Sequence, residues 1–146
     1  MAASALLDTG AILAILNRED RWHKACVQAL LQLRKPLLTS EAVLTETLYM
    51  ISAHEYRLEA AWGFLRSGIL TLGAIADADL PALERLMHRY RDRPMDFADA
   101  TLVHLAERES LITVLTVDVS DFQTYRIQGT KRFRILPAPN LRGRGY

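Results

Sequence analysis

The chain of 146 residues is expected to fold as one α/β domain built on a mainly parallel sheet of about five strands flanked by helices. Three observations predict this. Short apolar runs alternate with helical patterns from one end to the other. Those runs are continuously apolar, as befits strands covered on both faces. No repeat, linker or low-complexity segment divides the chain, and its length suffices for one buried core.

Ala5-Leu6-Leu7 is the first strand, ending at Asp8. Thr9-Gly10 is expected to turn the chain into a helix starting at Ala11, with Asn17 to Asp20 as a polar loop. Trp22 to Arg34 carries Trp22, Ala25, Cys26, Ala29, Leu30 and Leu33 at helical spacing. Pro36 to Thr39 is the second strand, and Ser40 a suitable N-cap for a helix from Glu41 to about His54. That helix is apolar nearly all round, so it is expected to be buried, with Glu46 in its middle. Arg57 to Leu65 is another helix, broken by Ser67-Gly68. Ile69 to Ile75 is a third strand, and Asp77 or Asp79 caps a helix through Leu80, Leu83, Leu86, Met87 and Tyr90.

Pro94 cannot continue that helix, and Asp96 is a good N-cap for the next, which carries Leu102, Val103, Leu105 and Ala106. Asp99 falls in its first turn, where the helix dipole favours a carboxylate. After Glu109-Ser110, the β-branched run Ile112 to Val117 is the fourth strand and stops at Asp118. Val119 to Tyr125 is a loop or short helix, Phe133 to Leu136 the last strand, and Pro137 onward an exposed end.

Composition narrows the function classes. The chain is 50% hydrophobic and 24% charged, ordinary for a soluble globular protein. It has no apolar run near the roughly 20 residues that span a bilayer. A single cysteine, Cys26, excludes an internal disulfide; with no signal-peptide pattern, a cytoplasmic location is expected. Charge is uneven. Residues 121–146 hold six basic side chains against one acid, whereas residues 1–120 hold twelve against sixteen. The basic end, from about residue 126, suits contact with phosphates as well as it suits simple solvation.

In a parallel sheet the ligand site lies beyond the carboxyl ends of the strands. Asp8 and Asp118 end strands, Asp99 opens the helix before the strand of Asp118, and Glu46 lies in the helix after strand two. All four can converge. An unpaired carboxylate in a buried helix costs several kcal/mol, and a cation removes that penalty. Four oxygen donors without nearby Cys or His describe a hard cation, Mg²⁺ or Mn²⁺ rather than zinc. The chemistry implied is metal-assisted hydrolysis of a phosphodiester.

With these residues in view, the sequence resembles the PIN-domain proteins, in particular the VapC-like toxin ribonucleases of type II toxin–antitoxin pairs. The carriers are Leu6-Leu7-Asp8-Thr9-Gly10, Leu44-Thr45-Glu46, Asp96-Phe97-Ala98-Asp99-Ala100-Thr101-Leu102 with Leu105-Ala106-Glu107-Arg108, and Leu115-Thr116-Val117-Asp118 followed by Asp121-Phe122. The resemblance implies a PIN-like three-layer sandwich and an Mg²⁺- or Mn²⁺-dependent endoribonuclease. It also implies neutralisation by a cognate antitoxin protein and a homodimer. Carried over, Asp8, Glu46, Asp99 and Asp118 are the metal ligands, Thr116 is the hydroxyl that orients Asp118, and Asp96 and Asp121 are second candidates. Many relatives carry Ser at position 10, and Thr9 or backbone groups are expected to cover for the hydroxyl that Gly10 lacks.

Arg126, Lys131 and Arg132, with Tyr125, are candidates to line an RNA path. His23, His54, His88 and His104 lack ligand spacing and are expected to be surface or packing residues. Two other functions fit the pattern less well. One is a PIN-fold RNA-binding protein with weak catalysis. The other is a phosphoryl-accepting signalling domain, which needs an early acidic pair and a Lys after a late strand; the pair is absent and Lys131 precedes the last strand.

Overall fold

The computed structural model describes residues 2–93 and 95–138; the side chains of Glu55 and Tyr56 are outside that description. Pro94, expected to break a helix, and residues 139–146, with Arg142 and Arg144 of the basic end, lie outside the described residues. Five parallel strands form the central sheet: β1 (Leu6–Leu7), β2 (Leu37–Thr39), β3 (Leu70–Leu72), β4 (Thr113–Leu115) and, last in sequence, Arg134–Leu136. Two further short strands, β5 (Arg126–Ile127) and β6 (Lys131–Arg132), pair antiparallel as a separate hairpin, so Arg134–Leu136 is β7. The sheet order is β3-β2-β1-β4-β7. Leu6 pairs with both Leu38 and Val114, and Leu115 with both Leu7 and Leu136, so β1 lies at the centre and β4 between it and the edge strand β7.

Helices connect the strands, as parallel pairing requires. They are α1 (Thr9–Leu16), α2 (His23–Gln32), α3 (Glu41–Ile51), α4 (Glu55–Leu65), α5 (Leu80–Arg89), α6 (Phe97–Glu109) and α7 (Val119–Thr124), with a 3₁₀ turn at Asp77–Asp79 before α5. Helix α1 packs on α2 and α3, and α5 packs on α6. Leu6, Leu7, Val114 and Leu115 are completely buried, as the continuous apolar runs predict. Among the described residues no helix is long and apolar enough to cross a membrane.

The helix ends explain much of the local folding. Ser40 Oγ accepts from the Val43 amide at 3.2 Å and Asp96 Oδ1 from the Asp99 amide at 2.7 Å, each satisfying a first-turn donor that the helix leaves unpaired. Thr101 Oγ donates to the Ala98 carbonyl at 2.6 Å, so its hydrogen is committed. Ser40 Oγ, 2.7 Å away, is therefore the donor between them, and that buried bond ties the start of α3 to the first turns of α6.

Two expectations need correction. Thr9-Gly10 does not form a turn: Asp8 caps α1, which begins at Thr9 itself. Gly10 is required by space, because a Cβ there would stand 2.4 Å from Val117 Cγ2. Helix α3 is not buried all round. Val43, Thr47 and Ile51 face the core, while Tyr49 is 80% and Met50 57% exposed. The hairpin β5–β6 falls on residues to which the sequence assigned no element. Its connection holds Gln128 and Gly129 at φ 53° and 76°, left-handed values that a glycine accommodates without strain.

Candidate active site

The sheet order reverses direction between β1 and β4: β2 and β3 follow on one side of β1, and β4 and β7 lie on the other. Such a switch point opens a crevice at the carboxyl edge. Asp8, directly after β1, sits in that crevice and is 2% exposed. Its Oδ1 accepts from the Thr9 amide and its Oδ2 from the Thr116 hydroxyl, each at 2.8 Å. Thr116 follows β4 and is fully buried. Its hydroxyl oxygen also accepts from the Asp118 amide at 3.0 Å. Thr116 thus orients the Asp8 carboxylate and braces the backbone of Asp118; it does not hold the Asp118 carboxylate, as the sequence had suggested.

Asp99, 7% exposed in the first turn of α6, accepts at Oδ2 from the Tyr125 hydroxyl at 2.8 Å. Asp118 caps α7, and the half-buried Glu46 approaches from the middle of α3.

The acids perturb one another's charge in pairs. Burial pushes Asp8 up to about 7, against the Thr116 and Thr9 hydrogen bonds, and the charges of Asp118 and Glu46 add to the rise. Burial also pushes Asp99 up to about 8, with Asp8, Asp96 and Asp121 adding repulsion and the Tyr125 hydrogen bond opposing it. Asp118 is raised by burial and then by Asp121 and Asp96; Glu46 is raised by burial, Asp96 and Asp118. The Tyr125 phenol is pushed far up by burial and by its bond to Asp99, so it stays protonated and remains a donor.

The second candidates have other occupations. Asp96 caps α6, and Asp121 pairs with Arg93 at 2.9 Å at the exposed rim. Among the described residues, no three acidic, histidine or cysteine side chains are gathered closely enough to form a ready metal site. The donor chemistry nonetheless fits a hard divalent cation. Every carboxyl group is an oxygen donor, their mutual repulsion calls for positive charge, and among the described residues the buried Thr9 hydroxyl has no partner at hydrogen-bond distance. That hydroxyl lies near enough to Glu46 to oppose the rise of its pKa, so it faces the acidic space. It is the Thr9 amide and the Thr116 hydroxyl that support Asp8 in place of a residue-10 side chain.

The basic candidates separate. The Arg126 guanidinium is turned, through Nη1, onto the carbonyls of Gln123, Thr124 and Tyr125 at the end of α7. Tyr125 is 1% exposed and is excluded from lining an RNA path. Lys131 and Arg132 are exposed on the hairpin. The Gln128 amide beside them donates to Glu107, eight residues along α6 from Asp99, or about 12 Å at 1.5 Å per residue. His104 is a packing residue paired with Asp79 at 2.9 Å, and Cys26 is a buried core thiol that burial pushes up to about 11.

Sequence reasoning missed the role of Tyr125. Its signal was the i, i+3 spacing of Phe122 and Tyr125, which puts both rings on one side of α7.

A PIN domain family model matches residues 5–127. The chain is 29% identical over 135 residues to ribonuclease VapC26 of Mycobacterium tuberculosis, covering 90% of this chain and 99% of that protein. The crystal structure of VapC20 of M. tuberculosis, described as a sarcin-ricin loop cleaving toxin, superposes with a TM-score of 0.71 at 20% identity, over 81% of this chain and 94% of the other. VapBC2 from Rickettsia felis, solved bound to a DNA fragment from its promoter, gives 0.64 at 15% identity, over 90% and 97%. At those identities the two structures speak to the fold. With the family model spanning most of its length, this chain belongs to the PIN domain family.

Proposed function

We propose that this PIN-domain chain is a divalent-metal-dependent endoribonuclease, the toxin of a toxin–antitoxin pair. The observation that carries the reading is the crevice between β1 and β4, where two buried aspartates are each held by a hydroxyl, Asp8 within reach of the charges of Asp118 and Glu46 and Asp99 within reach of that of Asp8. Similarity to ribonuclease VapC26 over nearly the whole of both chains supports RNA as the substrate. In this reading Asp8, Glu46, Asp99 and Asp118 hold Mg²⁺ or Mn²⁺, with Asp96, Asp121 and Thr9 around them. When bound, the ion supplies activation of a water nucleophile and stabilisation of the leaving oxygen of the phosphodiester.

The protein's own part is preparation. Thr116 and the Thr9 amide keep Asp8 in one orientation, and the sheet edge sets Asp8 beside Thr116, two residues before Asp118. Lys131 and Arg132 offer exposed cations to the RNA backbone beyond the scissile phosphate. Two partners belong to the same reading. An antitoxin is supported by the structural likeness to a toxin–antitoxin complex, and a homodimer by the exposed apolar side chains Tyr49 and Met50 on α3. The reading places the protein in the cytoplasm, where its RNA is.

The test is cleavage of a structured RNA by purified protein in Mn²⁺, compared with Asp8→Asn and Asp99→Asn. Loss of about 100-fold or more is expected in both variants, in line with the cost of removing charge stabilisation at a reacting group. Parent-level cleavage by Asp8→Asn would overturn the assignment.

A further inference from the structure

We propose that Tyr125 is the positioning residue of Asp99: its hydroxyl holds Oδ2 and so keeps the carboxylate in the one orientation in which it would help to hold a divalent cation. This rests on the nuclease reading and assigns that site a component outside the four acids.

The hydroxyl is aimed by more than packing. The Tyr125 ring meets Phe122 edge-on at 5.3 Å and 82°, and Tyr90 at 5.0 Å and 68°. Phe122 in turn meets Phe133 at 5.3 Å and 87°. The Tyr90 hydroxyl accepts from the Arg126 amide at 2.9 Å, and the Arg126 guanidinium clamps the carbonyls around it. These contacts hold the ring on two sides and tie the backbone beside it, and they leave the phenol aimed at Asp99.

A buried tyrosine needs a partner for its hydroxyl, but a backbone carbonyl would serve without bringing in a buried charge. Here the partner is a carboxylate 26 positions away in sequence. The element is also suitably placed. Helix α7 is flanked by Asp118 at its N-cap and Tyr125 at its C-cap, so the same short helix sets one acid of the pocket and braces another. The arrangement repeats that at Asp8, where Thr116 donates from beside Asp118. Partners of this kind around ligating groups control their orientation.

Mn²⁺ titration of the full chain by calorimetry tests the proposal, with Tyr125→Phe and Leu30→Ala measured beside the parent. Tyr125→Phe keeps the ring and should weaken Mn²⁺ binding by about 10- to 100-fold. Leu30→Ala opens the core on α2, a helix packed on α1 and outside the aromatic cluster; it should lower the melting temperature and keep the parent's Mn²⁺ affinity. Parent-level binding by Tyr125→Phe overturns the proposal, and so does an equal loss in Leu30→Ala. A Tyr125→Phe chain that no longer folds assigns the hydroxyl to stability and overturns it as well. A parent that takes up no Mn²⁺ removes the metal site itself, an outcome distinct from a parent and variant that bind alike.

Discussion

A side chain at position 10 would press on the segment that carries Thr116 and Asp118, because Gly10 lies against the Val117 methyl. Helix propensity alone would favour Ser over Gly in α1 by less than about 1 kcal/mol, whereas overpacking a rigid β-branched neighbour costs about 1–3 kcal/mol. Gly10→Ser should therefore destabilise, and Val117→Ala in the same chain should recover part of the loss, as a double-mutant cycle in urea would show. Asp8 and Asp99 carry a second prediction. Their native pKa values, about 7 and about 8, lie above the ordinary 3.8. Between those limits the native state binds more protons than the unfolded state, so stability falls as pH rises from about 4 to about 8. Urea melts of metal-free protein across that range should show the decline, and a slope of opposite sign would refute it. Asp8, Glu46, Asp99 and Asp118 were legible as a group because each stands at a strand end, at a helix start or alone in an apolar helix. The pairing of Asp99 with Tyr125 was not, since no local pattern joins residues on separate elements.

The capped helix starts were readable in advance because Ser40 and Asp96 act on amides three residues away, within a window that sequence displays. The exposed face of α3 was not. Apolar content says that a helix has something to cover, but not that Tyr49 and Met50 stay uncovered in one copy of the chain. The hairpin β5–β6 escaped for a related reason: two-residue strands of Arg, Ile and Lys carry no usable alternation, leaving only Gly129 as a turn signal. The bond from Ser40 to Thr101 makes a prediction at this scale. Ser40→Ala removes both a cap and the tie between α3 and α6, and should cost about 1–2 kcal/mol. Combined with Thr101→Val the losses should be less than additive, which chemical melts of the three variants would establish.

Across the whole molecule, the alternation of apolar runs and helices was sufficient for the parallel sheet and for the edge on which the acids lie. The strand order β3-β2-β1-β4-β7 needed the structure, because chain order alone leaves open which strand sits beside β1. A cation gathered by acids from four elements should also stabilise the whole fold. With free Mn²⁺ at 100 times its dissociation constant the gain is about 2.7 kcal/mol, read as a rise in melting temperature that Asp99→Asn abolishes.

The hydroxyl of Thr116 reaches a carboxylate 108 positions earlier, and the strand that shelters it, β7, is later still. A chain still emerging from the ribosome thus holds these aspartates apart until β4 and β7 have been synthesised. If this protein severs RNA, the machine that makes it is spared its chemistry during manufacture, and whatever restrains it has that interval in which to arrive.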